Sequence, residues 1–151
     1  MLFLLPLCLA LAGCGGSDSA FARFLQADAR PSDPSARVQF GRGKLPGDFP
    51  GGLPMLPHAA VLGWQRTTAD TSLSWELVYE APGDTSTATS TIRDGLRAAG
   101  WQITDTNSQN GFQQLNVSGS GANAGDTGVI DIGPAVTNGR VDVVEEVGRD
   151  R

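Results

Sequence analysis

An α+β fold, one antiparallel sheet of about five or six strands with a single helix packed on one face, follows from three features of this 151-residue chain. Residues 73–80 (LSWELVYE) alternate: Leu73, Trp75, Leu77 and Tyr79 point one way and Ser74, Glu76, Val78 and Glu80 the other, as in a half-buried antiparallel strand. Directly afterwards Ala88, Ile92, Leu96 and Ala99 recur at helical spacing. Beyond them come only short apolar runs parted by Gly- and Asn-containing turns, so the remaining elements read as strands. The expected order is ββαβββ, with room for one more strand, in one domain at 51–148.

In chain order, the first element is MLFLLPLCLALAG, residues 1–13, whose run from Leu2 to Ala12 carries no charge. It is shorter than the ~20 apolar residues of a spanning helix and fits the ~7 to 15 of a secretory signal core. Pro6 and the Gly/Ser/Asp flank argue against a buried helix. The run ends in Leu11-Ala12-Gly13-Cys14: an aliphatic residue, two small ones, then cysteine.

This tetrapeptide resembles the lipobox of bacterial lipoproteins at all four positions. The resemblance implies that lipoprotein signal peptidase reads Leu11, Ala12 and Gly13, and that Cys14 carries a thioether-linked diacylglycerol, becomes the new N-terminus and can be acylated on its amine. Each buried methylene contributes about 0.8 kcal/mol, so two or three chains hold a protein that one chain would hold only marginally. Gly15 stands where an aspartate would signal inner-membrane retention. The resemblance therefore implies the periplasmic side of the outer membrane in a diderm cell, or the outer face of the plasma membrane otherwise. Cys8 would leave with the signal and Cys14 would be consumed, leaving no free thiol and no disulfide.

Residues 14–50 follow as the lipidated cysteine and a tether rich in Pro, Gly, Ser and Arg, with no strand-like run. Phe21, Phe24 and Leu25 allow a short amphipathic helix to about Ala29, marginal on its own. The tether is weakly basic, with Arg23, Arg30, Arg37, Arg42 and Lys44 against Asp18, Asp28, Asp33 and Asp48. The rest of the chain is acidic enough to bring the net charge to −5. That balance excludes nucleic acid as a partner, because phosphates demand clustered Lys and Arg, and it holds the domain off an anionic lipid surface.

Within the domain, 60–66 (AVLGWQR) is the first strand, 67–72 a turn and 73–80 the second strand. Gly83-Asp84 offers a helix N-cap and Gly100 a left-handed stop; the Thr-rich first turns are weak helix formers, so packing must hold the helix. Then come strands at 101–107, 112–118, 129–133 and 140–147, and a tail at 149–151. The expected core is Leu62, Trp64, Leu73, Trp75, Leu77, Tyr79, Ile92, Leu96, Trp101, Ile103, Leu115, Val117, Ile130, Ile132, Val141 and Val143.

Catalytic material is scarce. His58 is the only histidine and reads as a loop residue, leaving nothing with which to build a zinc site or a Ser-His-Asp triad. The loop at 119–128 (GSGANAGDTG) leads into a strand and lacks a Walker lysine, so it reads as a hairpin loop. Asp105, Asn107 and Gln109 mimic the start of an EF-hand, but Asn110 and Asn116 stand where glycine and glutamate are required. Asp142, Glu145, Glu146 and Asp150 read as a solvated acidic face. No pair of carboxylates is singled out for glycoside hydrolysis, and no cofactor motif is present.

A second resemblance rests on LPMLPHA before the first strand, LVYEAPGD before the helix and LRAAGW at its end. These are similar to a group of small bacterial envelope lipoproteins over about 53–107, which implies architecture only. The expectation is a lipid-anchored, non-enzymatic module that binds another envelope component. The alternative is a small-ligand groove between helix and sheet lined by Trp64, Trp75, Trp101, Tyr79 and Phe112, aromatics whose ordinary place is the core.

Overall fold

The computed structural model describes residues 35–150. The expected signal segment, Cys14 and the helix expected at 21–29 lie outside them. Seven strands form one sheet: β1 (Arg37–Gly41), β2 (Ala60–Thr68), β3 (Ser72–Pro82), β4 (Gln102–Gln109), β5 (Phe112–Ser118), β6 (Asp126–Pro134) and β7 (Arg140–Asp150). The sheet order is β1-β2-β3-β7-β6-β5-β4, and every neighbouring pair is antiparallel. One helix, α1 (Thr85–Ala98), links central β3 to the far edge at β4. The α+β class with one helix on one face stands. Among the described residues the strand count rises to seven, with three strands before the helix and four after it.

The helix begins and ends where its sequence dictates. The Asp84 carboxylate accepts hydrogen bonds from the Thr87 backbone N–H at 2.9 Å and the Thr87 hydroxyl at 2.8 Å, which hold its carboxyl below the ordinary range. The hydroxyls of Thr89, Ser90 and Thr91 donate back to the carbonyls of Thr85, Ser86 and Thr87, which accommodates a Thr-rich first half. At the other end Gly100 takes φ +81°, its N–H reaches the Arg97 carbonyl, and the Trp101 N–H reaches the Leu96 carbonyl at 2.9 Å. This is the Schellman pairing, with Trp101 packed beside Leu96 in the core.

The helix contacts β4, β5 and β6. It leaves the β2–β3 side of the same face to residues 42–59, which lie across it as a strap. Leu56 is buried there, and Leu45, Phe49 and Leu53 pack against the core. The strap is pinned by the Trp64 indole N–H donating to the Lys44 carbonyl (2.9 Å), by Asp48 against Arg66 (2.7 Å) and by the Asn123 amide donating to the Gly51 carbonyl (2.8 Å). A Cβ at Gly95 would fall 2.5 Å from Pro54, so glycine is what lets the helix touch the strap.

Two boundaries and one face assignment therefore change. Residues 37–50, expected as tether, belong to the folded domain. None of the β1 residues is fully buried, so β1 shows no apolar period and joins the sheet through backbone pairing with β2. The expected tail is also strand: Arg149 forms a two-pronged ion pair with buried Asp126, at 2.7 and 2.8 Å, and stacks 5.2 Å from the centre of the Trp75 ring. Finally, a bulge between Val61 and Gly63 turns Leu62 to the opposite face from Trp64, where it packs with Val78 and Val144. Val78, assigned by alternation to the polar face, is fully buried by that contact. Of the remaining expected core, Trp64 and Ile103 are half-buried and all the others are buried.

The β1 assignment carries a prediction. A chain starting at Asp48 loses β1 and the Lys44 carbonyl, leaving the Trp64 N–H without its acceptor and the β2 edge open. We expect roughly 2 to 3 kcal/mol of lost stability by urea denaturation, together with self-association in sedimentation, relative to a chain starting at Ser35. Equal stability and a monomer from both would show β1 to be dispensable.

Candidate functional site

One face of the sheet is closed by α1 and the strap, and among the described residues the other carries no layer. The register sets out what the uncovered face presents. One row crosses the sheet as Gln65, Glu76, Glu146, Val129, Asn116 and Asp105; the next as Val78, Val144, Asp131, Gln114 and Asn107. A third runs Glu80, Asp142 and Gly133, over which lies the ring of Phe112, itself paired with Gln109. Gln65, Val78 and Glu80 are buried within these rows. The face is acidic, with Glu76, Glu80, Asp105, Asp131, Asp142 and Glu146 against one strand cation, Arg140, which pairs with Glu80 at 2.9 Å.

Two shallow depressions lie on it. The larger, about 490 Å³, runs where the strands carry small side chains: Ser74, Gly148, Thr127 and Ser118 form a continuous row, with Thr104, Asn116 and Glu146 alongside. The smaller, about 320 Å³, surrounds Phe112 at the β4–β5 end. Both are furnished with amides and carboxylates, and the larger with hydroxyls as well, groups that recognise a ligand by hydrogen bonding.

No family model matches the chain, and neither does any curated protein or solved structure.

The expected aromatic groove does not assemble. Trp75, Tyr79 and Trp101 are buried, Trp64 is half-buried under the strap, and Phe112, 52% exposed, stands on the opposite face. A cleft of about 340 Å³ does lie between α1 and the β4–β5 turn, but Thr85, Ser86, Thr89, Ser90, Arg93, Gly111 and Gln113 line it, with no aromatic among them. His58 is exposed in the strap at φ 57°. The loop at 119–128 is a closed knot: a 3₁₀ turn at Gly121–Asn123, the Gly119 N–H bonded to the Asp126 carbonyl, and the Ser120 hydroxyl donating to the Gly100 carbonyl. Asp105, Asn107 and Gln109 lie on strand β4. Among the described residues no group of three His, Cys, Asp or Glu side chains is placed to hold a metal ion.

The acidic C-terminal run is the clearest correction. Glu146, Asp142 and Asp150 belong to the uncovered face, but Glu145 points the other way and is 0% exposed, in the row between Leu77 and Ile130. The Tyr79 hydroxyl donates to its Oε1 at 3.1 Å and lies 3.5 Å from the Pro54 carbonyl of the strap; Oε2 has no partner. Removal from water pushes the Glu145 carboxyl up to about 8, the Tyr79 hydrogen bond opposing only in part. Tyr79 is raised as well, first by burial and then by its acidic neighbour. Glu145 is therefore a neutral acid at pH 7. The signal was in the sequence: Val141, Val143, Glu145 and Val147 share one parity of a strand.

Proposed function

We propose that the chain is a lipid-anchored, non-enzymatic binding module of the cell envelope, held by acyl chains on Cys14 and presenting its uncovered sheet face to another envelope component. The observation that carries the binding half is the asymmetry of the fold. Among the described residues, a seven-stranded sheet closed on one side by a helix and a strap leaves on the other a broad, largely polar surface with two depressions. The anchor rests on Leu11-Ala12-Gly13-Cys14 at the end of the uncharged run. The acidic domain is repelled by an anionic lipid surface, which leaves the sheet face available.

The test has two arms. Wild type should take up labelled palmitate in a globomycin-sensitive manner and fractionate with membrane, and Cys14→Ser should do neither. A photo-crosslinking residue at Thr127, on the uncovered face, should yield adducts in intact cells, whereas one at Arg97, on the exposed side of α1, should not. A chain that takes up no label overturns the anchor; adducts from Arg97 and none from Thr127 overturn the binding face.

A further inference from the structure

The uncovered face carries one large side chain that the core does not use. Phe112 opens β5 next to the two-residue Asn110-Gly111 turn, both residues in left-handed backbone, so its place relative to β4 is set by a tight hairpin. Its ring lies across Gly133 of the neighbouring strand β6. A Cβ at 133 would come within 2.2 Å of the ring, so glycine there makes the seat. One side of the ring is thereby covered and held, and the ring remains 52% exposed.

Polar groups surround it in register. Gln109 is paired across from Phe112, while Asn107, Gln114 and Asp131 form the adjacent cross-strand row. The Gln114 amide donates to Asp131 Oδ1 at 2.9 Å, which orders that pair and leaves Gln114 Oε1 and Asp131 Oδ2 as acceptors. The Asn107 and Gln109 amides add donors and acceptors on the other side of the same 320 Å³ depression.

The geometry points to a saccharide platform: the ring of Phe112 stacks against the C–H face of an uncharged pyranose while Asn107, Gln109, Gln114 and Asp131 take its hydroxyls. A flat apolar surface ringed by alternating donors and acceptors matches a molecule with one apolar face and a rim of hydroxyls. The volume is at the lower end of ligand pockets, the size of one or two sugar units. Charge decides against the other ring-bearing ligands. Asp131 and Asp142 lie in these two rows and the face's strand cation, Arg140, is taken up by Glu80, so phosphorylated bases and uronic acids are repelled.

This inference rests on the uncovered face being the binding face, and its test is independent of the anchor. The full-length chain in detergent is titrated with chitotetraose, cellotetraose and maltotetraose, and with tetragalacturonate as the anionic counterpart, while backbone and side-chain amide resonances are followed by NMR. At least one neutral tetrasaccharide should shift Phe112, Asn107, Gln109 and Gln114 saturably, and tetragalacturonate should not. Phe112→Ala should weaken binding about tenfold or more, the worth of a stacking contact, and Phe112→Tyr should retain it. Asn107→Ala, on the exposed edge strand, should weaken it without touching the fold. Absence of shifts with every neutral glycan at about 10 mM, or binding unaltered in both alanine variants, overturns the platform. Sugar-induced shifts here with adducts only from Arg97 would sink the crosslinking expectation and leave the platform standing; the converse would sink the platform alone.

Discussion

Glu145→Gln should make the domain more stable at pH 7, and should remove most of the decline in wild-type stability as pH rises from about 4.5 to 8. In the unfolded chain the carboxyl ionises near its ordinary value of 4.5; in the fold it holds its proton up to about 8. Between those values the unfolded state binds fewer protons than the folded state, so raising the pH favours unfolding. The stabilisation from folding around a neutral acid is complete below about pH 4.5, shrinks through the window and is gone above about pH 8. At about 1.4 kcal/mol per pH unit, the loss reaches roughly 3 kcal/mol by pH 7, an upper figure because local opening can rehydrate the group. Glutamine has the same shape and cannot ionise.

The two proteins should therefore converge at pH 4.5 and separate progressively to pH 8 in urea titrations. Taking the difference between them cancels the general self-repulsion of an acidic chain, which also grows with pH. Parallel curves would show that Glu145 is hydrated in solution and that the strap does not seal it.

Why such an acid lies under the strap bears on what sequence can reveal. The helix was legible to the residue at its cap, because Asp84 and Gly100 act through bonds to groups three to five positions away. β5 was legible because Leu115 and Val117 alternate with polar neighbours inside two turns. Glu145 was not: one charged residue in a valine-rich strand reads as surface unless parity outweighs residue type. Phe112 failed in the opposite sense, since an aromatic reads as core although its even position puts it across the sheet from Leu115 and Val117.

β1 and the order of the sheet were hidden for a different reason. The pairing of β3 with β7 joins residues about 70 positions apart, and nothing local in either strand names the other. The bulge at Leu62 reverses a side chain that strict alternation assigns to the helix side. The uncovered face is therefore a product of tertiary pairing. Its rows draw on residues from 65 to 146, and only the assembled register brings Phe112 beside Gly133 or Gln114 beside Asp131. The resemblance to a lipobox, by contrast, rests on four adjacent residues.

Trp101→Ala should cost about 3 to 5 kcal/mol, a severe fraction of the 5 to 15 kcal/mol that stabilises a typical domain. Trp101 is 2% exposed and shares one core with Leu96, Val117, Ile130 and the strap residue Leu56, so truncation opens a cavity that the rigid sheet cannot close. It also removes the apolar contact that seals the Schellman end of α1, while the backbone bond from Trp101 N–H to the Leu96 carbonyl survives. One term runs the other way: the indole N–H is buried with no acceptor, and deleting it relieves about 1 to 3 kcal/mol of unmet hydrogen bonding. Trp101→Phe separates the two. It keeps most of the apolar volume and loses the orphan donor, so it should lie within about 1.5 kcal/mol of wild type, the size of a well-tolerated core swap. Guanidinium denaturation of the three proteins gives both differences. If alanine falls within about 0.5 kcal/mol of wild type, as an ordinary surface change would, then Trp101 does not close the core at the helix end. If phenylalanine is as damaging as alanine, the indole N–H has a partner, and the seal depends on that bond in addition to the packing.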